Sequence, residues 1–150
     1  MGSDSKFKQH KDYLMQYRKI HTKIDRLRNK LNRLNERYDL KGVSYSSQPS
    51  GSVKQTLDDV LAQKEYIENR LGKLEDESFR IRNEIQDKLL DLDNQLEAEV
   101  LDLYFLERYS LTEIADTLCY SERQIERLYA NGIMSVWCHV NVSDTRVYRC

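Results

Sequence analysis

The feature that most constrains the fold of this chain is an unbroken heptad pattern in its first third. Apolar residues recur there at alternating steps of four and three, at Tyr13, Tyr17, Ile20, Ile24, Leu27, Leu31, Leu34 and Tyr38. This spacing puts them all on one face of an α-helix and is typical of a coiled-coil seam. We therefore predict a helix over about 6–39, roughly 50 Å long at 1.5 Å per residue.

A second seam follows a break in the pattern. Residues 40–52 are rich in serine and contain the single proline, which predicts a connecting loop. Apolar residues then return with heptad spacing at Val53, Leu57, Val60, Ile67, Leu71, Leu74, Ile81 and Ile85. The register shifts near 86–92, where we expect one architectural unit to give way to another. Two long helices joined by a short loop predict an antiparallel coiled-coil hairpin over 6–92, with oligomerisation through the same seam as the alternative.

Charge supports this pairing. Residues 1–41 carry 12 Lys and Arg against 5 Asp and Glu, whereas residues 42–100 carry 7 against 13, so the two helices have opposite net charge. The whole chain has only one proline and five glycines. Because a doubly wound α/β enzyme needs many tight turns, this composition favours an all-α fold of long helices.

The segment 93–135 has a different pattern, which is typical of a helix-turn-helix domain. A broadly apolar helix is followed by a capping box at Ser110–Glu113, a short turn at 119–121, and a second capping box at Ser121–Gln124. The small residue Ala115 stands where the two helices of this motif would cross closely. A plain three-helix domain with a solvated polar face is the alternative.

The second helix of this motif carries the candidate DNA-binding residues. Its N-terminal and outward positions are Ser121, Glu122, Arg123, Gln124, Glu126, Arg127 and Asn131. Arginine reads guanine, glutamine and asparagine read adenine, and glutamate accepts from cytosine in the major groove. A serine among free backbone N–H groups at a helix start suits a phosphate. The segment therefore predicts double-stranded DNA as a partner.

The residues over 96–133, including Ser-Leu-Thr-Glu-Ile-Ala at 110–115 and Ser-Glu-Arg-Gln-Ile at 121–125, resemble region 4 of sigma-70 factors. The whole layout resembles the small phage- and prophage-encoded regulators of the ArpU/RinA type. This resemblance implies control of phage transcription, often of late genes, with Arg123, Gln124 and Arg127 on the face that reads a promoter element. The sequence departs from region 4 at Cys119, where many such modules have glycine.

The net charge of −2 over 101–150 is a second departure, because DNA-binding domains usually have a basic surface. It indicates that the module needs a second binding surface, such as host RNA polymerase, a dimer partner or the basic first helix. A homodimer, formed through the coiled coil or the tail, is therefore one of the alternatives that the sequence leaves open.

The tail, 136–150, alternates Val136, Cys138, Val140 and Val142 with other residues, which predicts a strand or β-hairpin. The three cysteines have no zinc-binding spacing, and no catalytic motif occurs. We therefore expect no metal, no cofactor, no small-molecule substrate and no enzymatic activity. The absence of a long apolar run and of a secretory signal predicts a cytoplasmic protein with no membrane partner.

These features together predict a sequence-specific transcriptional regulator. A phage origin is implied by the resemblance alone. Two alternatives stay open. One is an interaction protein that contacts RNA polymerase or a sigma factor by mimicking region 4, without binding DNA. The other is a structural coiled-coil protein of a phage.

Overall fold

The computed structural model describes the backbone of residues 2–39 and 57–140, and the side chains of residues 2–38 and 57–136. Every regular element in these ranges is helical, so the predicted all-α class is confirmed. The elements are α1 (Gly2–Asp39), α2 (Leu57–Leu90), α3 (Gln95–Leu101), a π-helical turn (Asp102–Leu106), α4 (Leu111–Leu118) and α5 (Glu122–Val140). In the same ranges, no helix combines the length and the apolar character that crossing a membrane requires.

The chain divides into two compact units. Unit 1 comprises Met1–Lys19 and Phe79–Cys150, and unit 2 comprises Ile20–Ser78. The long helices α1 and α2 each contribute to both. Unit 1 therefore combines the predicted 93–135 domain with the beginning of α1 and the end of α2.

Unit 2 is built on the predicted heptad seams. Its buried apolar side chains are Ile20, Ile24, Val60, Ile67 and Leu71. Four further seam residues are only partly buried, namely Leu27, Leu31, Leu34 and Leu74. The prediction is wrong for Leu57, whose side chain is 56% exposed. Leu57 stands in the first turn of α2, and a helix end is flanked by fewer side chains than the middle of a helix.

An ion pair joins the two helical segments of unit 2. Arg28 Nη2 lies 2.7 Å from Glu75 Oε1, and both side chains are about half exposed. A pair that is this accessible to water contributes at most about 1 kcal/mol. Burial of the seam therefore accounts for more of the stability of unit 2 than the opposite charges of its helices.

Unit 1 has its core where α3 and α4 pack against α5. Its completely buried side chains include Leu14, Ile85, Val100, Leu101, Phe105, Ile114, Ile125 and Ile133. The predicted seam residues Tyr17 and Ile81 also lie in this unit and are buried. The start of α3 is fixed by Asn94, whose side-chain oxygen accepts hydrogen bonds from the backbone N–H groups of Leu96 and Glu97.

A π-helical turn continues α3 through Leu106. The backbone N–H of Glu107 donates to the carbonyl of Asp102 at 3.0 Å, which is a bond across five residues. This wider turn accompanies the burial of two successive side chains, Phe105 and Leu106. Val100 and Leu101 are buried as well, so the helix that the sequence predicts to be broadly apolar is covered on more than one side.

The predicted strand in the tail is wrong for residues 136–140, because α5 continues through Val140. Val136 is buried and completes the inward stripe of α5 that begins at Ile125. No glycine or proline stands between residues 133 and 140 to end the helix. A period of two over so few residues does not distinguish a strand from a helix. The remaining part of the predicted β-hairpin, 141–150, lies outside the described residues.

Two helical glycines should respond in opposite ways, in their effect on stability, when each is replaced by alanine. Gly72 has open space around it, so Gly72→Ala should raise the free energy of unfolding by about 1 kcal/mol through helix propensity. At Gly132, an added Cβ would lie 2.9 Å from Cδ1 of the buried Leu101. Overpacking there costs about 1–3 kcal/mol, so Gly132→Ala should give no gain or a net loss. Urea denaturation followed by circular dichroism measures both, and equal stabilisation would contradict the close α3–α5 packing.

Candidate nucleic-acid interface

The short helix α4 begins at a complete capping box. Ser110 Oγ accepts a hydrogen bond from the backbone N–H of Glu113 at 3.2 Å, and Glu113 Oε2 accepts one from the backbone N–H of Ser110 at 2.8 Å. The hydrogen bonds from the backbone and hydroxyl of Ser110 lower the pKa of the Glu113 carboxyl. The predicted box is therefore confirmed, and it fixes the start of α4.

A short left-handed turn connects α4 to α5. Cys119 has φ 60° and ψ 42°, and the backbone N–H of Tyr120 donates to the carbonyl of Ala115 at 3.0 Å. A side chain with a Cβ costs about 1–2 kcal/mol in this conformation. Cys119 therefore carries a conformational cost that a glycine in this turn would not.

The second capping box fixes the start of α5. It is formed by two of the candidate DNA-binding residues, Ser121 and Gln124. Gln124 Oε1 accepts hydrogen bonds from both the backbone N–H and the hydroxyl of Ser121, each at 3.0 Å. Ser121 Oγ in turn accepts from the backbone N–H of Gln124 at 3.2 Å. Gln124 therefore caps the start of α5 in this structure, and the base-reading role of its side chain stays a prediction.

The other five candidates are all exposed on α5 and form two rows. Arg123, Arg127 and Asn131 follow one another at intervals of four residues, and Glu122 and Glu126 form the neighbouring row. Within the described residues, neither arginine pairs with a carboxylate. The outward face of α5 thus presents two guanidinium groups and an amide in line, beside two carboxylates that cancel their net charge.

The inward face of α5 is held by an aromatic cluster. The ring of Tyr104 meets those of Phe105 and Tyr129 edge to face, each at a centroid distance of 4.8 Å. The guanidinium of Arg18 lies 4.4 Å above the ring of Tyr104. Burial, followed by the proximity of Tyr104, raises the pKa of the Tyr129 hydroxyl well above its usual range. Tyr129 is therefore neutral at physiological pH, and the cluster supports α5 through packing.

The sequence interpretation missed the contribution of the beginning of α1 to this unit. His10 is buried, and its Nδ1 lies 2.9 Å from the carbonyl oxygen of Ile133 on α5. The Tyr13 hydroxyl accepts a hydrogen bond from Lys88 at 2.6 Å. A signal for His10 existed, since it precedes Tyr13 by three residues and extends the heptad pattern one step toward the N-terminus.

Arg82 links α2 to the end of the π-helical turn. Its Nη2 lies 2.7 Å from Glu107 Oε1, and its Nη1 donates to the Tyr17 hydroxyl at 3.1 Å. The hydrogen bond to Tyr17 and the pairing with Glu107 raise the pKa of Arg82. Burial, together with the nearby charge of Glu107, raises the pKa of the Asp102 carboxyl. These groups connect the long helices to the segment that precedes α4.

The described residues contain no group of three or more His, Cys, Asp and Glu side chains that could hold a metal ion. Cys119 is exposed and free. The side chain of Cys138 and the whole of Cys150 lie outside the described part of the chain.

Comparison with family models, with curated proteins and with solved structures finds no match for this chain.

Proposed function

We propose that α4 and α5 form a DNA-binding helix-turn-helix and that the protein is a sequence-specific transcriptional regulator. The observation that carries this proposal is the exposed row of Arg123, Arg127 and Asn131, which is presented by a helix capped and buried on its other face. A helix placed in this way enters the major groove by its N-terminal part. The resemblance to region 4 extends the proposal to activation of phage genes, together with host RNA polymerase, in the cytoplasm of a bacterium.

The chemistry of the row fits base recognition. A guanidinium donates two hydrogen bonds to O6 and N7 of guanine, and an asparagine amide pairs with N6 and N7 of adenine. Glu122 and Glu126 accept from cytosine in the neighbouring row and repel phosphates elsewhere. This mixture of charges favours contacts with particular bases over contacts with any backbone.

The long helices give this proposal its architecture. We propose that α1 and α2 pair as an antiparallel coiled-coil hairpin, which the buried seam and the Arg28–Glu75 ion pair of unit 2 support. A homodimer would present two copies of α5 at half-sites about 34 Å apart, or at a multiple of that distance.

A second candidate function is supported by the acidic row of α5. Glu122 and Glu126 alternate with the arginines, and residues 101–150 carry a net charge of −2. A surface of this kind also suits a basic protein, so the alternative is an interaction protein that contacts RNA polymerase or a sigma factor without DNA.

The double substitution Arg123→Ala with Arg127→Ala tests the proposal. Each bidentate arginine contributes about 1–3 kcal/mol of base discrimination, so we expect affinity for the preferred site to fall at least about 30-fold, toward the affinity for a shuffled site. Fluorescence anisotropy with both duplexes measures the ratio. Both side chains are exposed, so the helical content should not change.

The matched control is Lys8→Ala with Lys73→Ala, which removes two exposed cations from other parts of the chain. This control should retain the ratio between preferred and shuffled sites. Equal affinities of the double-arginine variant and the wild type for the preferred site would overturn the proposal. Loss of RNA polymerase binding without any change in DNA binding would establish the alternative.

A further inference from the structure

Unit 2 contains a groove that the proposed base-reading helix does not explain. It has a volume of about 810 Å³ and lies between the segments of α1 and α2 that belong to this unit. Six of its twelve lining residues are cations: Lys23, Arg26, Lys30, Arg33, Arg37 and Arg70. None of the twelve is acidic. We call this feature the basic groove.

The cations of the basic groove are not neutralised by neighbours. Within the described residues none of the six pairs with a carboxylate. Arg28, which is not part of the lining, shows the contrast, since it pairs with Glu75 at 2.7 Å. Six like charges around one groove repel one another, and an anionic ligand would relieve that repulsion.

The spacing of these cations suggests an elongated ligand. The five on α1, from Lys23 to Arg37, follow one another at steps of three and four residues and therefore share one helix face. At 1.5 Å per residue this row is about 21 Å long. Arg70 adds a cation from α2. A single small anion would engage only part of such a row, whereas a polyanion would engage its whole length.

The remaining lining residues favour a nucleic acid backbone over an acidic polypeptide. Asn29, Gln63 and the 63% exposed Tyr66 are hydrogen-bond donors. With the six cations, nine of the twelve lining residues belong to the types that contact phosphate oxygens in DNA complexes. The other three are seam leucines, too few to offer an apolar surface of the kind that anchors an amphipathic helix.

We propose that the basic groove binds the phosphodiester backbone of duplex DNA and supplies the sequence-independent affinity that the charge-balanced face of α5 lacks. This inference rests on the proposed function in taking duplex DNA as the ligand. It assigns the two tasks of a DNA-binding protein to different units: α5 distinguishes bases, and the basic groove binds phosphates whatever the sequence.

The test is the salt dependence of binding to a random-sequence duplex, followed by fluorescence anisotropy. Each phosphate contact contributes a slope of about −0.9 to a plot of log affinity against log salt concentration. The triple substitution Arg26→Gln, Lys30→Gln and Arg33→Gln should therefore make the slope shallower by about 2 to 3. Affinity at low salt should fall, while the ratio between preferred and shuffled sites should stay as in the wild type.

The control is Lys6→Gln, Lys8→Gln and Lys73→Gln, which removes the same charge from exposed positions outside the groove. Equal slopes for the two triple variants would overturn the inference, because net charge alone would then explain the change. It would also be overturned if the groove variant lost affinity for poly-glutamate but kept its affinity for DNA.

The same measurements separate this inference from the proposed function. If the wild type prefers no sequence while the groove variant still loses its salt dependence, the groove binds DNA and base reading by α5 is wrong. If preference for a site is intact and the groove variant keeps the wild-type slope, α5 reads DNA and the groove does not bind it.

Discussion

Ile67→Asp should unfold unit 2. Ile67 is 1% exposed, in the middle of the seam of α2, and no cation lies among the buried residues that the structure describes in this unit. An uncompensated charge in such a position costs about 3–5 kcal/mol, a large part of the 5–15 kcal/mol that stabilises a typical domain. We expect a marked loss of helical circular dichroism signal at 37 °C. Ile24→Asp, at an equally buried position of α1, should have the same effect.

The control for this prediction lies six residues away on the same helix. Leu61 is 53% exposed, so Leu61→Asp introduces the same carboxylate where water solvates it. Its effect on the free energy of unfolding should stay within about 0.5 kcal/mol. Unchanged helicity in both Ile67→Asp and Ile24→Asp would show that the assignment of the heptad seam is wrong.

Phe105→Ala should have the second largest effect, this time on unit 1. The ring of Phe105 is completely buried, meets Tyr104 at a centroid distance of 4.8 Å and stacks on Tyr129 at 5.8 Å. Removing a buried phenylalanine ring costs about 3–5 kcal/mol, because the cavity does not close completely. Since Tyr129 lies on α5, we expect the variant to lose both stability and sequence-specific DNA binding.

Phe79→Ala provides the comparison, because the side chain of Phe79 is 67% exposed. The midpoint of thermal unfolding of this variant should lie close to that of the wild type. If Phe105→Ala also unfolded at the wild-type midpoint, the aromatic cluster would not support α5.

The parts of the fold that local sequence determines were predictable. The capping box at Ser110 and the short turn after α4 depend on residues a few positions apart, and both occur in the structure as expected. The central seam residues Ile24 and Ile67 were equally predictable, because their burial follows from a helical period repeated over many residues.

Other features depend on competition or on distant contacts, and the sequence pattern did not resolve them. Gln124 stands at a position that serves both a helix cap and a base contact, and in the structure the cap engages it. The alternation after Val136 indicated a strand, yet Val136 also continues the helical stripe of α5. The contact of His10 with Ile133 joins residues that are far apart in sequence, so no local pattern could reveal its partner.

The charge distribution explains why one surface of this protein would be insufficient for its proposed role. The exposed row of Arg123 and Arg127 lies beside Glu122 and Glu126, so electrostatic attraction to phosphates is weak there. Specific DNA complexes combine base contacts with a larger number of phosphate contacts. The basic groove offers the cations for the second task, and its variants and those of α5 should therefore alter different properties of binding.

The central claim is that α5 reads a DNA sequence, and selection from a random duplex library by the wild-type protein tests it most directly. The library is incubated with the protein at low and at moderate salt, and the duplexes that the protein retains are sequenced. We expect one motif that persists at moderate salt and binds at least about 1,000-fold more tightly than a shuffled duplex. Retention without a common motif, lost uniformly as salt increases, would contradict the claim and leave only non-specific attraction to phosphates.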